Sequence, residues 1–273
     1  MEITNKGDKP GKDLVTDVDK ASQKLIADIM AETCPDHMLL GEENPPDEEP
    51  KAADWLWIVD PIDGTTNFVN SSLIFAVSVA ALHCGVPVAA AMWIPWSNDD
   101  GYLLMHARRG NGAWIGDTKM SVSAPSESGM PVAGLHSAIP RWFRRAFDVQ
   151  KPLVGNMGEL RDGGSSCYEQ FMVARGSMQY SITGFAFIWD FAAGTLLTRE
   201  AGGKVLALDS NRRFTEFRGW GSDYANDSAT YGRMRKWKGL VLSGAPETVD
   251  FIADNLRPKR ASLFGKLKSL VGS

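Results

Sequence analysis

Histidine and cysteine are scarce in this chain, four of one and three of the other among 273 residues. Cys34, Cys84 and Cys167 are odd in number and far apart, with neither a Cys-x-x-Cys pair nor a histidine at zinc spacing. A disulfide framework and a structural zinc site are set aside, leaving buried thiols in a reducing cytoplasm as the expectation. Basic residues are not in excess: 29 against 33 acids give a formal charge of −4, with a pI near 5.6. No concentrated basic face is available, so no nucleic-acid partner is expected. The first twenty residues hold no apolar stretch of the kind a secretory signal needs. Internal repeats and low-complexity linkers are missing too. With 44% hydrophobic and 23% charged residues, the composition excludes a disordered or collagen-like chain.

Long hydrophobic runs reduce to one suspect. Leu73 to Trp96 carries no charged residue and has the length of a membrane span. His83-Cys84-Gly85-Val86-Pro87 and Pro95 interrupt it, and Val and Ala outnumber Leu. Two short buried strands joined by a Gly/Pro turn are expected there instead.

Elsewhere helical and strand patterns alternate. Thr16 to Ala31 places Val18, Ala21, Leu25, Ile26 and Ile29 at helical spacing behind an acidic first turn, which predicts an amphipathic helix. His37–Gly41 and Trp55–Val59 read as short buried strands, each running into acids. Tyr102–Ala107 and Gly112–Val122 read as hairpin material. Ser165–Ala174 and Asp190–Ala201 read as helices, and Met178–Ile182 and Lys204–Leu208 as strands. Strands dominate early and alternate with helices later, which predicts α/β layers. A composition change near Pro140 to Gly155 divides the chain into halves at 1–145 and 146–273. Charge is uneven: Glu42 to Asp54 holds six acids against Lys51, and Arg257 to Ser273 holds five bases and no acid.

The informative segment is Trp55-Leu56-Trp57-Ile58-Val59-Asp60-Pro61-Ile62-Asp63-Gly64-Thr65-Thr66-Asn67-Phe68. An apolar strand delivers Asp60 at its end, and Pro61 has no N–H for a ladder, so pairing is expected to stop and the chain to turn. Asp63 follows three residues later, before Gly64-Thr65-Thr66. There Gly allows close backbone approach, and a short helix can open with free N–H groups suited to a phosphate. Two carboxylates flanking a turn whose Ile62 carbonyl faces inward make an all-oxygen site, which selects magnesium or manganese over zinc. A calcium loop or a plain capped turn would carry the same short string. Further acids stand in Gly41-Glu42-Glu43, in Asp13-Leu14-Val15-Thr16 with Asp19, and in Trp189-Asp190-Phe191-Ala192-Ala193-Gly194. Alone, Asp190 would be a helix N-cap.

Together with Glu200-Ala201-Gly202-Gly203, these strings resemble the inositol monophosphatase family of magnesium-dependent, lithium-sensitive phosphatases, from about Asp13 to Gly203. The resemblance implies a five-layer αβαβα sandwich with most metal ligands in the first half and Asp190 in the second. It implies Glu42, Asp60 and the Ile62 carbonyl at one Mg2+, Asp60, Asp63 and Asp190 at another, and Glu42 near a third through water. Thr65, hydrogen-bonded toward Asp19, would work with Glu42 on the attacking water. Asp63, Gly64, Thr65 and Asp190 would face the phosphate ester, and Gly164-Ser165-Ser166 would hold substrate hydroxyls. A cytoplasmic homodimer follows by the same analogy.

Departures from the family bear on substrate. Thr183 stands where inositol-preferring members present a Glu to the ring, and Phe185, Phe187 and Ile188 make that wall more apolar. A small phosphorylated alcohol of the inositol-phosphate kind is the expected substrate, with histidinol phosphate and 3′-phosphoadenosine 5′-phosphate as alternatives. A regulatory protein on the same fold is the reading of another class. Asp13 and Asp17 read as helix-start charges, Glu43 as either a solvent-facing acid or a ligand, and Trp55, Trp57 and Trp189 as rigid flanks of the site. Only twelve residues precede Asp13, so the helix most members carry there is absent or the true start lies upstream. At the far end Leu263, Phe264, Leu267, Leu270 and Val271 recur at helical spacing among lysines. That pattern is a terminal helix docked on the body, or a membrane-surface contact.

Overall fold

The computed structural model describes residues 2–5, 14–45, 53–220 and 228–259. Asp13 and the tail helix expected over 261–273 lie outside the described residues. A short pair, β1 (Ile3–Asn5) with β2 (Leu14–Thr16), leads into helix α1 (Asp17–Thr33). Thr16 caps α1: its hydroxyl accepts from Val18 and Asp19 N–H, and its own N–H donates to Asp19 Oδ2 at 2.8 Å. Strands β3 (Met38–Gly41), β4 (Trp55–Asp63), β5 (Ala76–His83), β6 (Val86–Pro95), β7 (Tyr102–Arg108), β8 (Ala113–Ile115) and β9 (Thr118–Lys119) form one seven-stranded sheet in chain order. Only β3 and β4 run parallel. A five-residue helix, α2 (Thr65–Val69), follows β4. The uncharged run is the β5–β6 hairpin, and among the described residues no helix is long and apolar enough to cross a membrane.

The second half supplies β10 (His136–Ala138), helix α3 (Phe143–Ala146), β11 (Phe147–Val149), β12 (Glu159–Arg161), α4 (Ser166–Ala174) and β13 (Tyr180–Phe187). After them come α5 (Ala192–Glu200), β14 (Lys204–Leu208), β15 (Phe214–Glu216), α6 (Ser228–Arg235), β16 (Lys238–Gly244), α7 (Pro246–Asp254) and β17 (Leu256–Pro258). The second sheet has the order β12-β10-β13-β16-β14-β15, while β11 pairs with β17 alone. Helices α4 and α5 lie between the two sheets, α1 packs on β4, and α7 packs on β14 and β16. The layers are therefore αβαβα.

Helix α5 explains why the middle layer closes. Ala192 through Thr198 are all buried, and a helix of small and apolar residues on every side belongs between two sheets. A Cβ at Gly194 would overlap the Gln170 side chain, so α4 and α5 cross at close range. The main core draws Leu40, Ile58 and Met92 from the first sheet, Phe171 and Leu196 from the middle layer and Val241 from the second sheet. A second core of Tyr180, Ile182, Leu242, Val249 and Ile252 lies under α7.

Several expectations need correction. Strand β4 does not stop at Pro61 but runs on to Asp63 through a register shift, pairing Asp60 with Ser78 and Asp63 with Ala76. The strand expected over Met178–Ile182 starts at Tyr180 and reaches Phe187, because β16 pairs with it throughout. Asp190 is no N-cap: it closes a 3-10 turn (Ile188–Asp190), and α5 begins two residues later without a side-chain cap. Of the three thiols only Cys167 is buried; Cys34 and Cys84 are half-buried, and all are free. Helix α1 exposes Val18, Leu25 and Ile29 and buries Asp19, Gln23 and Met30. Hydrogen bonds to the carboxylate site draw its polar face inward.

Candidate active site

The shift in β4 decides the geometry of its two acids. Side chains of a strand alternate between faces, so residues three apart point opposite ways. Between Asp60 and Asp63 three steps on β4 face two steps on β5, from Ser78 to Ala76. The extra residue is a bulge, which turns both carboxylates to one face and accommodates Pro61 where no ladder donor is required. Asp60 is 1% exposed and Asp63 8%.

Glu42 enters from the turn after β3. Its N–H donates to Val59 O at 3.1 Å, which ties the turn to β4. Gln23 of α1 accepts from Glu43 N–H at 2.9 Å and donates to Asn44 Oδ1 at 2.9 Å, and Asn44 Oδ1 accepts from Gly41 N–H at 3.0 Å. A Cβ at Gly41 would meet the amide end of Gln23 and push it from its bonds to Glu43 and Asn44. Asp190 arrives from the other half, where Phe187 N–H donates to its Oδ2 at 2.5 Å and Gln170 Nε2 donates to its carbonyl at 2.7 Å.

Asp60, Asp63 and the Cys167 sulfur place ligand atoms within 4.8 Å of one another, and Glu42 and Asp190, outside that tight group, are near enough for their charges to raise the Asp60 carboxyl. Burial first, then Glu42, Asp63 and Asp190, push the Asp60 carboxyl well above the usual carboxylate range. Burial, Asp63 and Glu42 do the same to Asp190, against the opposing pull of Phe187 N–H and Lys238. Burial lifts Asp63 to about 6, held there by hydrogen bonds from Ser165 Oγ at 2.6 Å and Cys167 N–H at 2.5 Å. Asp60 Oδ1 is buried with no hydrogen-bond partner. A buried, unpartnered carboxylate oxygen among like charges calls for a cation or a proton. The donor set is all oxygen and suits a hard divalent cation. Cys167 lies beside Asp60 and Asp63, but burial and these acids push its thiol up, so it stays protonated and is a poor ligand.

Thr65 stands at the start of α2. Its hydroxyl reaches Asp19 Oδ1 at 3.2 Å and Ile62 O at 3.0 Å. Gly64 precedes it at φ 90°, in the left-handed region. Asp17 is exposed at the start of α1.

The residues expected to hold substrate fare differently. Gly164 lies beside the Asn67 amide at φ 73°. Asn67 Nδ2 bridges Ile74 O at 2.6 Å and Gly163 O at 2.7 Å. Ser165 is 2% exposed, and its hydroxyl is committed to Asp63 and to Tyr168 N–H, so it supports a carboxylate instead of facing a substrate. Ser166 opens α4 next to it and is half-buried. Thr183 is buried inside β13 with its hydroxyl unpartnered, and Ile188 is in the core, so neither forms a wall. Phe185 takes a positive φ of 57° at a second bulge and packs on Trp142, and Phe187 stacks on Trp189. Sequence reasoning missed Lys238, whose ammonium lies 4.1 Å over the Phe187 ring and acts on Asp190, and missed Asn67 as a clamp. Asn67 stood in the quoted motif and carried the signal; Lys238, distant in sequence, carried none.

A family model described as the inositol monophosphatase family matches residues 1–248. The chain belongs to the inositol monophosphatase family. The inositol-1-monophosphatase of Bacillus subtilis (strain 168) is 33% identical over 201 residues, 72% of this chain and 73% of that protein. The Nus factor SuhB of Pasteurella multocida (strain Pm70) is 31% identical over 264 residues, 94% of this chain and 88% of its own. Among solved structures, inositol monophosphate-bound SaIMPase-II aligns with a TM-score of 0.66 at 27% identity, over 94% of this chain and 89% of that one. The layered fold described above is thus this family's fold.

Proposed function

We propose that this family member is a magnesium-dependent phosphomonoesterase acting on a small phosphorylated alcohol. The observation that carries the reading is the buried, unpartnered Asp60 Oδ1 within a cluster that Glu42, Asp63 and Asp190 complete. Glu42, Asp60, Asp63, Asp190 and the Ile62 carbonyl would hold a pair of divalent cations. Bound there, the cations would neutralise phosphoryl charge and acidify water. The family membership and the inositol monophosphate seen in SaIMPase-II support the substrate class.

The chain's own residues then have separate tasks. Thr65 Oγ1, its proton directed to Asp19 Oδ1, keeps a lone pair to orient the attacking water. Glu42 accepts that water's proton. The N–H groups of Gly64 and Thr65 face the phosphate, with Gly64 providing the turn that exposes them. Ser165 and the Cys167 N–H hold Asp63 in place. Asp190 is the only acid from Tyr180 to Arg199, so no carboxylate on that segment is left over for ring hydroxyls. Phe185 and Phe187 instead favour an alcohol that is flatter or less hydroxylated than inositol.

The test is phosphate release from inositol 1-phosphate, histidinol phosphate and 3′-phosphoadenosine 5′-phosphate, with magnesium and with chelator. Magnesium-dependent release with histidinol phosphate ahead of inositol 1-phosphate is expected. Inositol 1-phosphate ahead would overturn the substrate argument. No release from any ester by folded protein would favour the second reading, a regulatory protein like the relative called a Nus factor.

A further inference from the structure

Glu200-Ala201-Gly202-Gly203 is the one string of the family resemblance to which the carboxylate site assigns no task. Glu200 ends α5, and its two carboxylate oxygens accept from Gly110 N–H at 2.9 Å and Gly112 N–H at 2.8 Å, which fixes the β7–β8 turn. Gly203 turns the chain into β14, where a Cβ would lie 2.8 Å from Gly244 O. On the other side Trp220 N–H donates to Gly85 O at 2.8 Å, docking the segment after β15 on the β5–β6 turn. These turns border an open cavity of about 390 Å³ between the ends of β6 and β7 in the first sheet and the β14–β15 edge of the second. It lies at the opposite end of α5 from Asp190, roughly 13 Å away for nine residues of helix.

The lining of this cavity is cationic over an apolar floor. Val86, Leu196 and Val205 make the floor, and Arg109, Arg199, Lys204 and Arg218 bring positive charge. The two acids present are engaged: Glu200 by the glycine amides, Glu216 by Arg218 at 3.0 Å. Lys204 is held by Asp250 at 2.6 Å. Arg109 and Arg199 have no carboxylate within ion-pair distance among the described residues. Arg199 Nη2 is buried with no acceptor. Burial brings the Arg199 guanidinium down to about 10, against the opposing effect of nearby Glu216. A planar guanidinium with an unmet donor in a desolvated cleft fits the oxygens of a phosphate, and the volume is that of a small-ligand site.

We propose that this cavity is a second ligand site, distinct from the carboxylate cluster, for a small organic phosphate. Arg109 and Arg199 take its phosphate, and Val86, Leu196 and Val205 seat its apolar or ring body.

The experiment is calorimetric titration of phenyl phosphate into the full-length protein at low ionic strength, with chelator present so that the carboxylate site holds no cation. Saturable one-site binding is expected, weakened at least tenfold by Arg199→Met and by Arg109→Gln, and unchanged by Asp60→Asn. No saturable heat with the unsubstituted protein, equal affinity in both arginine variants, or loss in Asp60→Asn overturns the site. Inorganic phosphate is expected to bind at least tenfold more weakly than phenyl phosphate, and equal affinity overturns the role of the apolar floor. Thermal melts check folding. Should Arg199→Met fail to fold, the exposed Arg109→Gln decides.

Discussion

Asp60 shows what one side chain can disclose. Its Oδ1 has neither donor nor solvent, and burial first, then three acids around it, raise its carboxyl. Asp60→Asn is expected to lower magnesium-dependent phosphate release by about 10³-fold, since losing several kcal/mol of charge stabilisation removes a factor of ten per 1.36 kcal/mol. It should also abolish the rise in Tm on adding magnesium; a variant that retains both effects would remove Asp60 from the ligand set. Glu169 is a second telling residue. It is buried on α4, accepts from Gly163 N–H at 2.7 Å, and burial lifts its carboxyl to about 8. A folded-state value above the unfolded one means stability present below about pH 4.5 and lost as pH rises through about 8. Glu169→Gln keeps an acceptor for Gly163 and titrates nowhere, so its advantage over the wild type should grow from pH 5 to pH 9, by on the order of 4 kcal/mol. Chemical unfolding at the two pH values measures it, and parallel losses would refute it. Residue identity made the acids legible in advance: each followed an apolar run or a glycine. Direction was not legible, because the neighbours that bury Thr183, take the Ser165 hydroxyl and pull Ile188 into the core come from distant stretches of chain.

At the scale of elements, the strand Trp55–Val59 and the helices around α4 and α5 follow from pattern alone. Their ends do not. The sequence read Pro61 as a stop because a ladder needs N–H donors, whereas β5 continues to pair with Asp63 and accommodates the proline as a bulge. That bulge is the element that makes a bidentate acidic face from residues three apart. Periodicity also predicted that α1 buries its apolar stripe; Gln23 and Asp19 are buried instead, because the Glu42 turn and Thr65 hydrogen-bond to them. Gly64 joins bulge to helix. A Cβ there would lie 3.0 Å from both Ile74 O and Ser165 Cβ at φ +90°. Gly64→Ala is therefore expected to cost about 1–3 kcal/mol and to displace Asp63 with Ser165. Lower Tm together with a loss of phosphate release is the expected pair of readings, and an unchanged Tm would show the turn to be relaxed.

The whole molecule is organised so that its two sheets meet over α4 and α5, with the carboxylates at one end of α5 and a cationic cleft at the other. Rings from Phe191, Phe217, Trp220 and Trp237 pack edge to face around the start of α5, and Tyr231 Oη donates to Leu39 O at 3.2 Å, tying α6 to the first sheet. This apolar packing fixes the turn that carries Asp190, near enough to Asp63 for the two carboxylates to repel. The consequence is a pH-dependent fold. Asp63 at about 6, with Asp60 and Asp190 well above the usual range, keeps protons in the cation-free fold that the unfolded chain releases near pH 4. Stability from these acids is present below about pH 4 and is lost as pH rises through about 6 and beyond. Magnesium would replace those protons, so its stabilising effect must grow in the same direction. Chelated protein is expected to melt several degrees lower at pH 8 than at pH 5, and saturating magnesium to raise Tm by at least about 5 °C at pH 8 but little at pH 5. Equal magnesium shifts at the two pH values would mean that the cation binds away from these carboxylates.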